Sequence, residues 1–172
     1  MPQSEDDAVA MQVEAFREAD RVHILAIAEA GDQALDLDAE LARGCARIWV
    51  ARNATNGPVL AFLLAWDVAD ELHIMNVATD ARHRRQGAAK ALLGVALDHA
   101  RSTSARLVLL EVRRSNRPAL ELYRGHGFSA IGLRRGYYAD NSEDAVEMML
   151  AFDPNTGAVL PGHDEIPLPR SS

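Results

Sequence analysis

The stretch RHRRQGAAK sets Arg82, Arg84, Arg85 and Lys90 around Gly87. Positive charge gathered beside a residue with no side chain suits a bound anion. The first turn of a helix has backbone N–H groups without intrahelical partners, and the helix dipole makes that end positive. A glycine there lets a ligand approach the backbone, and the cationic side chains add donors. Together these features fit a diphosphate. A solvated basic patch is the alternative, but it makes a poor helix start, because each cation opposes the dipole by ~0.3–1 kcal/mol. Two other phosphate motifs fail. QGAAKALL lacks the first glycine and the hydroxyl of a P-loop, and Gly87 is followed by Ala88, Ala89 and Lys90 rather than by the spaced glycines of a dinucleotide turn.

The elements that must position this turn follow from apolar spacing. LHIMNVATD reads as a strand leading into it, and the helical period runs from Gly87 to about Arg101. RLVLLEV is a continuous apolar run broken only by Glu111, which suits a strand covered on both faces. NRPALELYRGHG is a short helix, with Ser115 or Asn116 as cap and Pro118 in its first turn. FSAIGL and DAVEMMLAF read as two further strands. Upstream, AVAMQVEAF holds a short first strand. READRVHILAIAEAG is a helix with Val22, Leu25, Ile27 and Ala28 on its apolar face, and DLDAELARG is a second, short helix. ARIWVARN, the Asn56-Gly57 turn and the run Val59 to Trp66 form a hairpin. An antiparallel meander followed by alternating strands and helices implies a mixed sheet in an α/β (α+β) domain. We assign residues 1–152 to one domain. Residues 153–172 form a C-terminal tail, since they hold four of the seven prolines and no apolar period.

Bulk composition narrows the class. Apolar residues make up 48% and charged residues 25%, the balance of a globular domain. A formal net charge of −7 argues against a nucleic-acid coat, which is normally basic. Cys45 is the only cysteine, so no internal disulfide forms, and it reads as a small core residue. The six histidines show no metal-ligand spacing, so no metal is expected. The opening MPQSEDD is acidic and unlike a signal sequence, and the longest apolar run falls far short of the ~20 residues that span a bilayer. No membrane association is expected, and the expected location is the cytoplasm.

Arg84-x-x-Gly87-x-Ala89 resembles the diphosphate turn of the GNAT superfamily of acetyl-coenzyme A-dependent N-acetyltransferases. LEVRRSNRPALELYRGHGF and RRGYYADNSEDAVEMML are similar to the second core segment and the C-terminal segment of its protein N-terminal acetyltransferases, especially the RimI-type ribosomal-protein alanine enzymes. The likeness runs from about Leu72 to Phe152. It implies a mixed, mostly antiparallel sheet of six to seven strands flanked by about four helices, and acetyl-coenzyme A as cosubstrate.

By that resemblance, Val77, Ala78 and Thr79 offer backbone groups to the pantetheine arm. Arg84, Arg85, Gln86, Gly87, Ala88, Ala89 and Lys90 cradle the pyrophosphate, and Asn116 is a further coenzyme contact. Glu111 matches the general base and Tyr123 the general acid. The chemistry is consistent. An α-amine has a reference pKa near ~8 and must lose a proton before it attacks. A carboxylate partly buried in an apolar strand is raised toward a useful pKa, and a tyrosine is a fit donor to the departing thiolate. Each residue also has an ordinary reading: Glu111 as a surface residue, Tyr123 as a core-edge ring, Asn116 as a helix cap or as both. Tyr137 and Tyr138 with Glu143 line a peptide groove or form a plain hairpin edge.

The acceptor implied is a peptide or protein N-terminus, with a ribosomal protein as one candidate. A small-molecule amine or lysine side chain is the second reading, and a non-catalytic acetyl-coenzyme A-binding module the third. The N-terminal third departs from the family. It has no aromatic-proline stretch between its early helices, and Ala81 stands where relatives often carry proline.

Overall fold

The computed structural model describes residues 10–168. The acidic opening stretch, the first two residues of the expected first strand and residues 169–172 lie outside them. The described residues form seven strands and four α-helices: β1 (Gln12–Ala15), α1 (Arg21–Ala30), α2 (Leu37–Leu41), β2 (Ala46–Arg52), β3 (Ala61–Val68), β4 (Glu71–Thr79), α3 (Ala88–Ser102), β5 (Leu107–Arg113), α4 (Arg117–Gly125), β6 (Ser129–Arg134) and β7 (Ala145–Ala151). The sheet order is β1-β2-β3-β4-β5-β7-β6. β1 pairs with β2, and β7 with both β5 and β6, in antiparallel fashion; β4 and β5 are parallel. The expected mixed sheet is the observed one.

The chain divides into two compact units. The first holds the described residues up to Gly44, with Ile48–Leu63 and Val77–Val95. The second holds Cys45–Arg47, Leu64–Asn76 and the residues from Ala96 on.

In the first unit, Arg52 ties the early elements together. Its side chain is 4% exposed and pairs with the equally buried Asp20 and with Glu14 at 3.0 Å; it also donates to the Gly57 carbonyl at 2.6 Å. A buried guanidinium needs such partners, because an unpaired charge in the core is strongly destabilising. The Asn-Gly turn forms as expected, with Asn56 at φ +58° and the Gly57 N–H donating to the Ala54 carbonyl. The apolar face of α1 differs from expectation. Ile24, Ile27 and Ala28 are buried, whereas Val22 is 73% and Leu25 38% exposed. The i, i+3, i+4 set begins at Ile24, and Val22 lies across the helix from it.

In the second unit, β5 alternates instead of being covered on both faces. Val108, Leu110 and Val112 are buried, while Leu107, Leu109, Glu111 and Arg113 are half-buried. The half-open face of β5 therefore carries Glu111. β7 lies between β5 and β6, so that Glu111 stands directly opposite Glu147. α4 begins at the Asn116 cap, whose side chain accepts from the Ala119 N–H at 3.3 Å.

Past β7 the chain continues to bond back to the same unit. The Leu160 N–H donates to the Ala151 carbonyl and the Glu165 N–H to the Ala130 carbonyl, each at 2.8 Å. The Asp164 carboxylate accepts from the Ala130 N–H at 2.9 Å and pairs with Arg124. No helix among the described residues is long and apolar enough to cross a membrane.

Candidate active site

The turn between β4 and α3 belongs to the first unit. Its entry is pinned by Asp80, whose N–H donates to the Leu60 carbonyl at 2.8 Å. The Asp80 carboxylate accepts from the Arg82 N–H and from its guanidinium, both at 2.9 Å, and Arg82 holds that carboxyl well below the usual carboxylate range. Arg82 is thus committed to the turn itself. Arg84, Arg85 and Lys90 are exposed, and none has a carboxylate partner among the described residues. Arg85 at φ +65° and Gly87 at φ +87° both take the left-handed region. Such a conformation costs a non-glycine residue ~1–3 kcal/mol and clusters at ligand-binding sites. A Cβ on Gly87 would meet nothing within 4 Å, so the backbone there lies open to a ligand. Gln86 is exposed, Ala88 is buried and Ala89 half-buried where α3 begins. Val77 and Thr79 are half-buried on β4 and Ala78 is buried.

The second unit carries the acid–base candidates. The Glu111 side chain is 27% exposed and its Oε1 lies 3.1 Å from Arg134 Nε. The Tyr137 hydroxyl donates to the Glu111 carboxylate, and this bond, with partial burial, raises the tyrosine's pKa. The Tyr137 ring meets Tyr138 edge-on at 5.2 Å, and the Arg113 guanidinium stacks on Tyr138 at 3.9 Å. These contacts fix an aromatic pair beside the carboxylate, with Tyr137 47% exposed.

Glu143 is occupied elsewhere. It accepts from the Ser115 N–H at 2.7 Å and sits 3.4 Å from Arg113; the Ser115 bonds pull its carboxyl down to about 2. It therefore braces the loop that precedes α4. Tyr123 is 7% exposed on α4, with its ring 5.7 Å from Phe128, and burial pushes its phenol up to about 12.

Sequence reading missed three features. Asn76 on β4 has a buried side-chain oxygen with no hydrogen-bond partner among the described residues. A polar residue inside an apolar strand was its only signal. Arg134 and Glu147 meet Glu111 only because of the strand order. In the first unit, a hollow of about 470 Å³ opens beside α1 and α2, with Leu25, Leu35 and Asp36 in its wall. The described residues contain no cluster of His, Cys, Asp and Glu that could hold a metal.

Residues 12–128 match the acetyltransferase (GNAT) family model, and the chain belongs to that family. The class so defined is that of the GNAT acetyltransferases. Among curated proteins the chain is similar to the ribosomal protein bS18-alanine N-acetyltransferase of Escherichia coli strain K12, at 39% identity over 97 residues. That match covers 55% of this chain and 66% of the relative, just under two thirds of its length. The crystal structure of the ribosomal-protein-S18-alanine N-acetyltransferase from Escherichia coli superposes with a TM-score of 0.71 at 30% identity, covering 83% of this chain and 94% of that one. Ard1 from Thermoplasma volcanium gives 0.71 at 28% identity, with 82% and 97% covered.

Proposed function

We propose that this protein transfers the acetyl group of acetyl-coenzyme A to the α-amine of a peptide or protein N-terminus. The names of its Escherichia coli relatives point to a ribosomal protein as acceptor, which would put the reaction in the cytoplasm. The observation that carries the reading is the turn at residues 84–90, where cations with no carboxylate partner among the described residues are grouped around an open glycine backbone.

The residues present fit the coenzyme. Arg84, Arg85 and Lys90 supply charge for its phosphates, and the N–H groups from Arg85 to Lys90 supply donors. The orphaned Asn76 oxygen needs an N–H donor, and the amides of the pantetheine arm carry such groups. Asn116 spends its side-chain oxygen on the helix cap, which leaves its amide N–H₂ for a ligand. When bound, acetyl-coenzyme A supplies an activated thioester.

The chain's own groups then manage the protons. Glu111 takes the proton from the acceptor ammonium, directly or through one water. Tyr123, whose buried phenol stays protonated, gives a proton to the departing sulfur. Tyr137 and Tyr138 present a rigid aromatic edge to the acceptor's first residues. Val77 to Thr79 offer backbone groups to the pantetheine arm.

At Gly87 a valine would be strained by the positive φ whatever the space around it. Gly87→Val is expected to weaken acetyl-coenzyme A at least about tenfold, measured by calorimetric titration. The reaction itself is tested with a peptide panel and acetyl-coenzyme A. An Ala-starting peptide should release free coenzyme A thiol and gain an acetyl on its α-nitrogen by fragment mass spectrometry. Acetyl found only on lysine side chains or on a polyamine would give the function to the second reading. Coenzyme binding without turnover on any amine would give it to a binding module.

A further inference from the structure

Glu111 and Glu147 face each other across β5 and β7 on the half-open side of the sheet. Like charges directly opposite one another are destabilising, so the pair needs a reason to be there. Arg134 on β6 supplies part of it. Its Nε lies 2.7 Å from Glu147 Oε1, within a hydrogen bond, and 3.1 Å from Glu111 Oε1.

The backbone of β6 is shaped to admit Glu147. A Cβ at Gly132 would come within 2.5 Å of Glu147 Oε2, and the β6–β7 register shifts between Ala130 and Gly132 at the same place. A side chain at Gly132 would push the Glu147 carboxylate away from its arginine. The guanidinium is consequently shared, and the tighter share goes to Glu147.

We propose that Glu147 is a positioning residue for acetyl transfer: it anchors the Arg134 guanidinium so that Glu111 stays able to take the proton of the acceptor ammonium. The inference rests on Glu111 being the base. A lone arginine facing a lone carboxylate would close into a one-to-one pair, which favours the ionised acid, weakens it as a base and competes with an incoming ammonium. Glu147 divides the guanidinium's charge and keeps its hydrogen bond away from Glu111. The ammonium then meets a carboxylate whose own counter-ion is already held by a second acid. Tyr137, donating to the same carboxylate, fixes its orientation without adding charge.

The test is a double-mutant cycle on the full chain, with kcat and KM measured for the acceptor peptide. Glu147→Gln should lower kcat/KM for the acceptor about tenfold, as expected of residues in one network. Its KM for acetyl-coenzyme A should not move. In an Arg134→Gln background the same substitution should have less than about a twofold effect, because no guanidinium is left to close on Glu111. Equal losses in both backgrounds, or no loss in either, would overturn the proposal. Melting curves of each variant separate misfolding from these outcomes, and Glu147→Asp, which keeps the charge, should recover most of the lost rate if the anchor is electrostatic. Glu111→Gln measured alongside keeps the two claims distinct. If it turns over like the parent, the base assignment fails; if it is impaired while Glu147→Gln is silent, only the anchoring role fails.

Discussion

Glu111→Gln is expected to lower kcat for an Ala-starting peptide by roughly 10²–10³, the usual worth of a positioned general base. Glutamine keeps the length and planar shape of the side chain and can still accept from the Tyr137 hydroxyl. Arg134 retains its 2.7 Å bond to Glu147. The fold around the site should therefore survive, and the loss should report chemistry.

The pH dependence identifies the role. The acceptor's α-ammonium loses its proton unaided above pH ~8, so the variant's deficit should shrink as pH rises through that value. Affinity for acetyl-coenzyme A should stay at the parent value, because none of the cradle residues from Arg84 to Lys90 is altered. A variant with parent kcat at neutral pH, or a deficit that does not change with pH, would remove Glu111 from the role of base.

Tyr123→Phe is expected to lower kcat by about 10²–10³ with little change in coenzyme affinity. The ring is 7% exposed and packs 5.7 Å from Phe128, and phenylalanine keeps that packing. Only the hydroxyl is removed, and with it the proton for the departing thiolate. Burial pushes the phenol up to about 12, so the donor is present throughout the working range and is lost only as pH rises through that value. The parent should thus show no alkaline loss from this group below pH ~11. Pre-steady-state measurement of thiol release is the check. Parent-like release by the phenylalanine variant would assign Tyr123 to the core alone.

The turn could be read from the sequence because its signal is local. A glycine and its cations lie within nine residues of one another, at a strand-to-helix junction whose change of apolar period is plain. Glu111 was visible as a charge inside an apolar strand, and Asn116 as a cap before Pro118. What could not be read depends on non-local pairing. β7 enters the sheet between β5 and β6, and only that order sets Glu147 opposite Glu111 and brings Arg134 to both.

Three smaller differences have similar causes. In α1 the sequence offers more apolar residues than one face can bury, and packing selects Ile24 rather than Val22. After Phe152, prolines and the lack of an apolar period hide bonds made by single residues, such as Asp164 and Glu165 to Ala130. Glu143, chosen for its charge near the tyrosines, serves the backbone of Ser115, a contact set by the fold of the loop.

The proposed function depends most on where the coenzyme's diphosphate binds. A crystal structure of the protein with acetyl-coenzyme A tests this directly. Diphosphate oxygens should lie within about 3 Å of backbone N–H groups between Arg85 and Lys90. A coenzyme bound with its diphosphate away from this turn, or no coenzyme bound at saturating concentration, would contradict the account.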